Sequence, residues 1–239
     1  MEDLSFFVGI IGNVISVLVF LSPLGTFIRI VKHKSTEDFQ SLPYICTFLN
    51  SSLWTYYGIT NPGEYLVATV NGFGILVEAV YVSLFLIYAP SRQIRITTSV
   101  LVGILDVGFL AAAILVTQLV LEGEVRIYAI GLMGAVLNII MYASPLSAMK
   151  TVVTTKSVEY MPFLLSFFLF LNGGIWALYA LLVGDYFLGV PNGTGFLLGT
   201  AQLLLYAIYR NGKPSKTTSV PDSLEEGTQH QPLISSSSY

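Results

Sequence analysis

The sequence predicts an all-α membrane protein of seven transmembrane helices in a 3+1+3 plan, two parallel triple-helix bundles joined by a linker helix. Three observations carry that expectation. The chain of 239 residues is 54% hydrophobic and only 10% charged, whereas a soluble domain carries about 25% charged residues. Seven segments, near 5–29, 43–60, 65–89, 97–121, 127–149, 162–183 and 186–209, hold the apolar run of roughly 20 residues that a bilayer crossing needs. Residues 9–89 also return, in register, at 131–210.

The repeat is read from particular residues. Gly9-Ile-Ile-Gly12, Ser22-Pro23-Leu24 and Lys34-Ser35-Thr36-Glu37 come back as Gly131-Leu-Met-Gly134, Ser144-Pro145-Leu146 and Lys156-Ser157-Val158-Glu159, each 122 residues on. Asn50, Trp54 and Tyr57 return as Asn172, Trp176 and Tyr179. Asn71-Gly72-Phe73-Gly74 returns as Asn192-Gly193-Thr194-Gly195, now 121 residues on. Three spans per unit is an odd number. A lone fourth span is therefore needed to give both units the same orientation, and the repeats are parallel rather than inverted. The expected organisation is a first triple-helix repeat at 1–89, the linker helix at 90–121, a second repeat at 122–212 and a disordered cytosolic tail at 213–239.

Topology follows from the basic residues, which collect on the cytoplasmic side of a bilayer. Arg29, Lys32, Lys34, Arg92, Arg95, Lys150, Lys156, Arg210, Lys213 and Lys216 all fall on one face, and Arg126 alone falls on the other. The N-terminus is thus expected outside the cytosol and the C-terminus inside it. The first span begins Met1-Glu2-Asp3 with no basic stretch, so it reads as a retained helix rather than a cleaved leader. The tail is rich in Ser, Thr, Pro, Gln and Glu, a composition that does not build a core.

Several functions are unsupported. One cysteine, Cys46, permits no intrachain disulfide, and two histidines, His33 and His230, cannot assemble a metal cluster or a hydrolytic site. No Gly-rich loop followed by Lys-Ser/Thr supports ATP-driven pumping, and no basic-aromatic surface suggests nucleic acid. No enzyme activity, cofactor or metal is expected. The Asn-x-Ser/Thr matches at Asn50 and Asn192 lie within spans and are discounted as glycosylation sites.

The candidate functional residues are the matched polar and helix-breaking pairs. Duplicated bundles with breakers and polar residues at equivalent positions typify transporters whose substrate site lies between the halves. Pro23 and Pro145 lie within spans 1 and 5, and Pro43 and Pro162 begin spans 2 and 6. Proline at a first helical turn is ordinary. Four in two matched pairs, all towards the cytoplasmic ends, read as hinges. Asn71 and Asn192 read either as interhelical hydrogen-bond partners or as substrate ligands, and the pairing favours the substrate. A carboxamide offers donors and an acceptor, which suits the hydroxyls of a neutral solute. Trp54 and Trp176 lie too deep for an interfacial belt, and indole stacks on the apolar face of a sugar. Pro191, just before Asn192, is expected to loosen the last span. Tyr57, Tyr179 and Asp185, at the non-cytosolic ends, read as belt residues or as an outer gate joined by Tyr-to-Asp hydrogen bonds. Glu78 and Asp106 are lone acids within spans, and neither has a counterpart in the other half.

These motifs resemble the plant SWEET sugar transporters over residues 4–212. The likeness rests on Gly-Asn-Val at 12–14, Ser-Pro-Leu at 22–24, Lys-Ser-Thr-Glu at 34–37, Pro-Tyr at 43–44, Tyr-Gly at 57–58, Met-Tyr-Ala-Ser-Pro-Leu-Ser at 141–147, Lys-Ser-Val-Glu-Tyr-Met-Pro at 156–162 and Val-Pro-Asn-Gly at 190–193. The resemblance implies facilitated, uncoupled sugar diffusion by alternating access. The family's proline tetrad matches Pro23, Pro43, Pro145 and Pro162, and its pocket positions match Asn71, Asn192 and Trp176. Trp54 departs from many members, which carry a small residue there, and an indole should narrow the pocket. Ala180 stands where the family often has Gly, with little expected consequence. Asn50-Ser-Ser-Leu-Trp54 and Thr-Val-Val-Thr-Thr at 151–155 look like the vacuolar branch, which moves fructose and glucose. Gln231-Pro-Leu-Ile234 is similar to a di-leucine sorting signal, with Gln229 where the usual acid stands.

The expected function is therefore a bidirectional hexose uniporter. Its partners are a small sugar and membrane lipid; a homo-oligomer stays open. The vacuolar membrane is the expected location, with the plasma membrane as the alternative. Rival readings are proton-coupled sugar transport through Glu78 or Asp106 and a seven-span receptor. The internal repeat and the very short loops argue against the receptor.

Overall fold

A computed structural model describes residues 2–159 and 161–211, and these are helical with no strand among them. The tail at 213–239, with its sorting-signal reading, lies outside the described residues. The first span is two helices, α1 (Glu2–Leu21) and α2 (Leu24–His33), rather than one. Pro23 cannot donate a backbone hydrogen bond, so the ladder breaks at Ser22-Pro23 and resumes when Phe27 N donates to Pro23 O (3.1 Å). The later α7 (Gly123–Met141) and α8 (Ala143–Thr155) break in the same way at Tyr142, just before Ser144-Pro145.

The repeated Lys-Ser-x-Glu motif is a helix stop. Lys34 and Lys156 close α2 and α8 in the left-handed conformation, with φ of 53° and 56°. Ser35 Oγ then accepts from Glu37 N (3.1 Å), and Ser157 Oγ from Glu159 N (3.3 Å). In the first half the turn is also an ion cluster. Arg29 Nη2 and His33 Nδ1 each lie 2.6 Å from a Glu37 carboxylate oxygen. Those two partners hold the Glu37 carboxyl below the usual range, the His33 hydrogen bond contributing most.

The remaining helices are α3 (Leu42–Thr60), α4 (Tyr65–Tyr88), α5 (Arg92–Leu101), α6 (Leu110–Leu119), α9 (Phe163–Val183) and α10 (Tyr186–Tyr209). Pro43 sits in the first turn of α3 and Pro162 immediately precedes α9. Ser91 caps α5 by accepting from Ile94 N, and Asp185 caps α10 by accepting from Phe187 N and Leu188 N. A π-helical segment, Val102–Phe109, joins α5 to α6 and carries Asp106. Hydrophobic periodicity alone did not foretell that segment.

Five helical runs are long and apolar enough to cross a bilayer: Asp3–His33, Tyr65–Tyr88, Arg92–Leu119, Gly123–Thr155 and Phe163–Val183. Helices α3 and α10 are long enough, at 19 and 24 residues, but less apolar. Their polar residues, Asn50 to Ser52 in α3 and Asn192, Thr194 and Gln202 in α10, are the reason. Large apolar side chains are exposed on the outside of nearly every helix, among them Leu119, Leu181, Leu197 and Ile208. Such a surface suits lipid.

Helix packing follows the repeat. In the first half α4 packs against both α1 and α3; in the second, α10 packs against both α7 and α9. Across the middle, α1 meets α9 and α3 meets α7. Exchanging the halves leaves this pattern unchanged. Small residues permit the crossing: an added Cβ at Gly12 would stand 3.0 Å from the Trp176 ring, and at Gly134 3.0 Å from the Trp54 ring. Ala180 costs nothing for a related reason. Its counterpart Gly58 faces the Ala68 backbone, at 2.6 Å from a would-be Cβ, while Ala180 faces Gly189. The extra methyl has moved from one helix to the other.

Candidate functional site

A cavity of about 330 Å³ lies between the halves, with walls from α1, α3, α4, α7, α8, α9 and α10. Asn71, Asn192, Trp54 and Trp176 all line it. The two asparagines are held identically. Asn71 Nδ2 donates to Val67 O and Asn192 Nδ2 donates to Leu188 O, each at 2.9 Å and each four residues back in its own helix. One N–H and the Oδ1 of each carboxamide remain for a solute. The indoles are matched as well. Trp54 stands edge-on to Tyr57 with centroids 5.4 Å apart, and Trp176 to Tyr179 at 5.3 Å. Of the four prolines, Pro145 lines the cavity.

Pro191 lies inside α10, as expected, and its carbonyl accepts a hydrogen bond from Tyr142 Oη (2.6 Å). Tyr142 lies against Gly195, where the equivalent first-half contact is Phe20 against Gly74. The second-half ring thus carries a hydroxyl that reaches the backbone beside the proline.

Beyond the indoles the halves close on one another. Val8, Trp54, Tyr57, Val67, Val70, Ile130, Trp176, Tyr179, Ala180 and Leu188 form one buried apolar cluster. At its outer edge Tyr57 Oη donates to Asp185 Oδ2 (2.6 Å), and Asn61 Nδ2 donates to Tyr57 Oη (3.0 Å). Tyr179 Oη donates to Glu64 Oε2 (3.0 Å). Sequence reading named Tyr57, Tyr179 and Asp185 but missed Glu64. The signal was present: Glu64 precedes α4 as Asp185 precedes α10, 121 residues apart. Each tyrosine therefore bonds the acid of the opposite half. Glu64 is 6% exposed, and burial raises its carboxyl to about 7, with the Tyr179 hydrogen bond opposing the rise. Arg126, the basic residue of this end, is occupied with the carbonyls of Thr117 and Leu121.

Other polar cavity residues escaped the sequence reading as ligands: Ser16, Asn50, Asn138, Asn172 and Gln202. Asn50 and Asn172 were visible only as markers of the repeat. Glu78 and Asp106 are buried, at 3% and 7% exposure, and each has one carboxylate oxygen with no partner among the described residues. Neither belongs to the cavity wall. Among the described residues no group of three His, Cys, Asp or Glu could hold a metal ion.

Comparison with known proteins supplies the remaining findings. The family described as "Sugar efflux transporter for intercellular exchange" matches twice, over residues 6–93 and 128–214, ranges that contain the repeated segments 9–89 and 131–210. The chain is 62% identical to the bidirectional sugar transporter SWEET17 of Arabidopsis thaliana, covering 98% of this chain and 100% of that one. It is 58% identical to SWEET16 of the same plant, over 98% of this chain and 100% of that one. SWEET16 of Oryza sativa subsp. japonica is also 58% identical, over 89% of this chain and 65% of the rice protein. A eukaryotic SWEET transporter solved at 3.7 Å superimposes with a TM-score of 0.83 at 40% identity, covering 88% of this chain and 99% of that one.

Proposed function

This chain belongs to that family of sugar efflux transporters, and on that premise we propose that it is a facilitative hexose uniporter working by alternating access. The observation that carries the proposal is the cavity, lined on both sides by a matched Asn and Trp. Its volume of about 330 Å³ lies near the lower end of small-molecule sites. That favours a monosaccharide such as fructose or glucose over a disaccharide. The carboxamides take the hydroxyls and the indole faces take the apolar side of the ring. No covalent step is involved, so the protein does not act as an enzyme.

The full plan is seven spans as 3+1+3, with α3 and α10 among them. The N-terminus lies outside the cytosol and the C-terminus inside it, as the basic residues argue. Tyr57, Tyr179 and Asp185, with Glu64, form the outer gate, a reading supported by the two hydrogen bonds that cross between the halves. Pro23, Pro43, Pro145 and Pro162 stand at helix breaks and starts, where the cytoplasmic halves swing. The motifs at 50–54 and 151–155, which resemble the vacuolar branch, support the vacuolar membrane as its location. Proton coupling finds no support here, since Glu78 and Asp106 stand apart from the cavity. Uptake of labelled fructose, glucose and sucrose by proteoliposomes bearing the purified chain tests the proposal. Hexose flux is expected, and sucrose flux equal to it would overturn the hexose assignment.

A further inference from the structure

The two sides of the cavity share a backbone arrangement but not a hydrogen-bond pattern. Trp176 Nε1 donates to Ser16 Oγ (2.9 Å), and Ser16 Oγ donates to Asn172 Oδ1 (2.6 Å). The repeat maps these three residues onto Trp54, Asn138 and Asn50. The rings obey the mapping, since Trp176 packs on Gly12 as Trp54 packs on Gly134. The polar atoms do not. Among the described residues neither the Trp54 indole N–H nor the Asn138 carboxamide has a protein hydrogen-bond partner, and Asn50 Oδ1 is buried without one.

Residue 138 is the difference. A serine hydroxyl accepts and donates through one atom, so Ser16 bridges an indole N–H to a carboxamide oxygen. The carboxamide of Asn138 presents separate donor and acceptor atoms and leaves that bridge unmade. On the Trp176 side the set is therefore closed, Ser16 of the first half holding both the indole N–H and the Asn172 oxygen. The Trp54 side, which Asn50 and Trp54 of the first half share with Asn138 of the second, stays open, and the buried Asn50 oxygen without a partner carries a cost that a ligand-ordered arrangement can recover.

We propose that Asn138, with the Trp54 indole N–H, is a polar subsite that sets which way round the sugar lies. The inference rests on the sugar-transport reading above. A sugar hydroxyl both donates and accepts, so one hydroxyl can take the Trp54 N–H while donating to Asn138. The hydroxyl-rich edge of the ring then turns to Trp54 and Asn138 and its apolar face to Trp176. Asn138 thereby discriminates among sugars that differ at one carbon, which the symmetric Asn71 and Asn192 pair does not do alone.

The test uses the full chain in proteoliposomes, with fructose, glucose and a series of their mono-deoxy analogues. Asn138→Ser supplies the hydroxyl found at position 16 and closes the missing bridge. Its KM for the preferred hexose is expected to rise at least about fivefold, with the maximal rate within about twofold of the parent and the unfolding temperature not lowered. The penalty that the parent shows for one particular deoxy position should vanish in the variant, while penalties at other carbons persist. Asn138→Ala removes the carboxamide without supplying a hydroxyl, and it must lose the same discrimination. An unaltered KM and an unaltered deoxy profile in either folded variant overturns the subsite. A parent that carries no sugar overturns the transport reading along with it.

Discussion

Tyr179 of the second half donates a hydrogen bond to Glu64 of the first at 3.0 Å, and this contact is the repeat image of Tyr57 to Asp185 at 2.6 Å. Two crossed tyrosine–carboxylate bonds thus join the halves where the outer gate is proposed. The crossing matters because each bond joins opposite halves, so the halves cannot part at this end without breaking both.

The seal is expected to respond to acid. With the gate closed the Glu64 carboxyl is raised to about 7 by burial, with Tyr179, Asp185 and Tyr57 as its ionisable neighbours. Opening returns it to water, where about 4.3 is normal. A group whose pKa is higher in the closed state takes up a proton on closing, so acid favours the closed gate. Exchange flux should therefore fall as the pH on the gate side drops from 7.5 to 5. The rate changes and the final sugar distribution does not. Glu64→Gln, which fixes the neutral form, should flatten this dependence. A parent whose exchange rate is the same at both pH values would refute the gate assignment.

Loss of either pocket carboxamide should abolish most transport. In Asn71→Ala or Asn192→Ala the sugar loses a partner in a desolvated site, a penalty of about 1–3 kcal/mol. Abundance should hold, because each Nδ2 bonds only a carbonyl four residues back in its own helix. Binding measured by tryptophan fluorescence on the purified variants checks this. A sugar affinity equal to the parent's would remove that Asn from the site.

Much of this arrangement was legible in the sequence, and the exceptions have physical causes. The offset of 122 exposed the halves because helix-packing glycines, kinking prolines and the indoles recur in kind. The Lys-Ser-x-Glu turn was visible as a repeat, and its left-handed lysine explains why. Glu64 was hidden because the loop before α4 differs from the one before α10, shifting the register to 121. Ser16 and Asn138 were hidden because they differ chemically, and a repeat search finds likeness. The π-helical segment at Val102–Phe109 has no hydrophobic signature distinct from an α-helix.

Replacing the prolines should impair movement more than folding. Pro23→Ala restores a backbone donor at the break between α1 and α2 and permits one continuous helix. A straightened helix favours one of two arrangements, and a bias of about 1.4 kcal/mol shifts their ratio tenfold. Flux at matched abundance should drop by a similar factor for Pro23 and Pro145, at the helix breaks, and should also drop for Pro43 and Pro162, which set how α3 and α9 begin. A variant with normal flux would show that its proline serves only to start a helix.

Trp54 should act as a size filter. Trp54 is 3% exposed, packs on Gly134, and lines the same cavity as Trp176. Trp54→Ser should weaken hexose binding several-fold, since aromatic stacking contributes about 0.5–1.5 kcal/mol. It should also raise sucrose flux relative to hexose flux. Competition between the two sugars on parent and variant decides the matter, and an unchanged ratio would place the filter elsewhere.

The central claim is passive hexose exchange through one cavity between two matched halves. Its most direct test is the time course of labelled fructose entering proteoliposomes that contain only this chain, with and without an imposed pH difference. The expected result is uptake that rises until internal and external fructose are equal and then stops, in both conditions. Accumulation above the external concentration under the pH difference, or no uptake beyond protein-free vesicles, would contradict it.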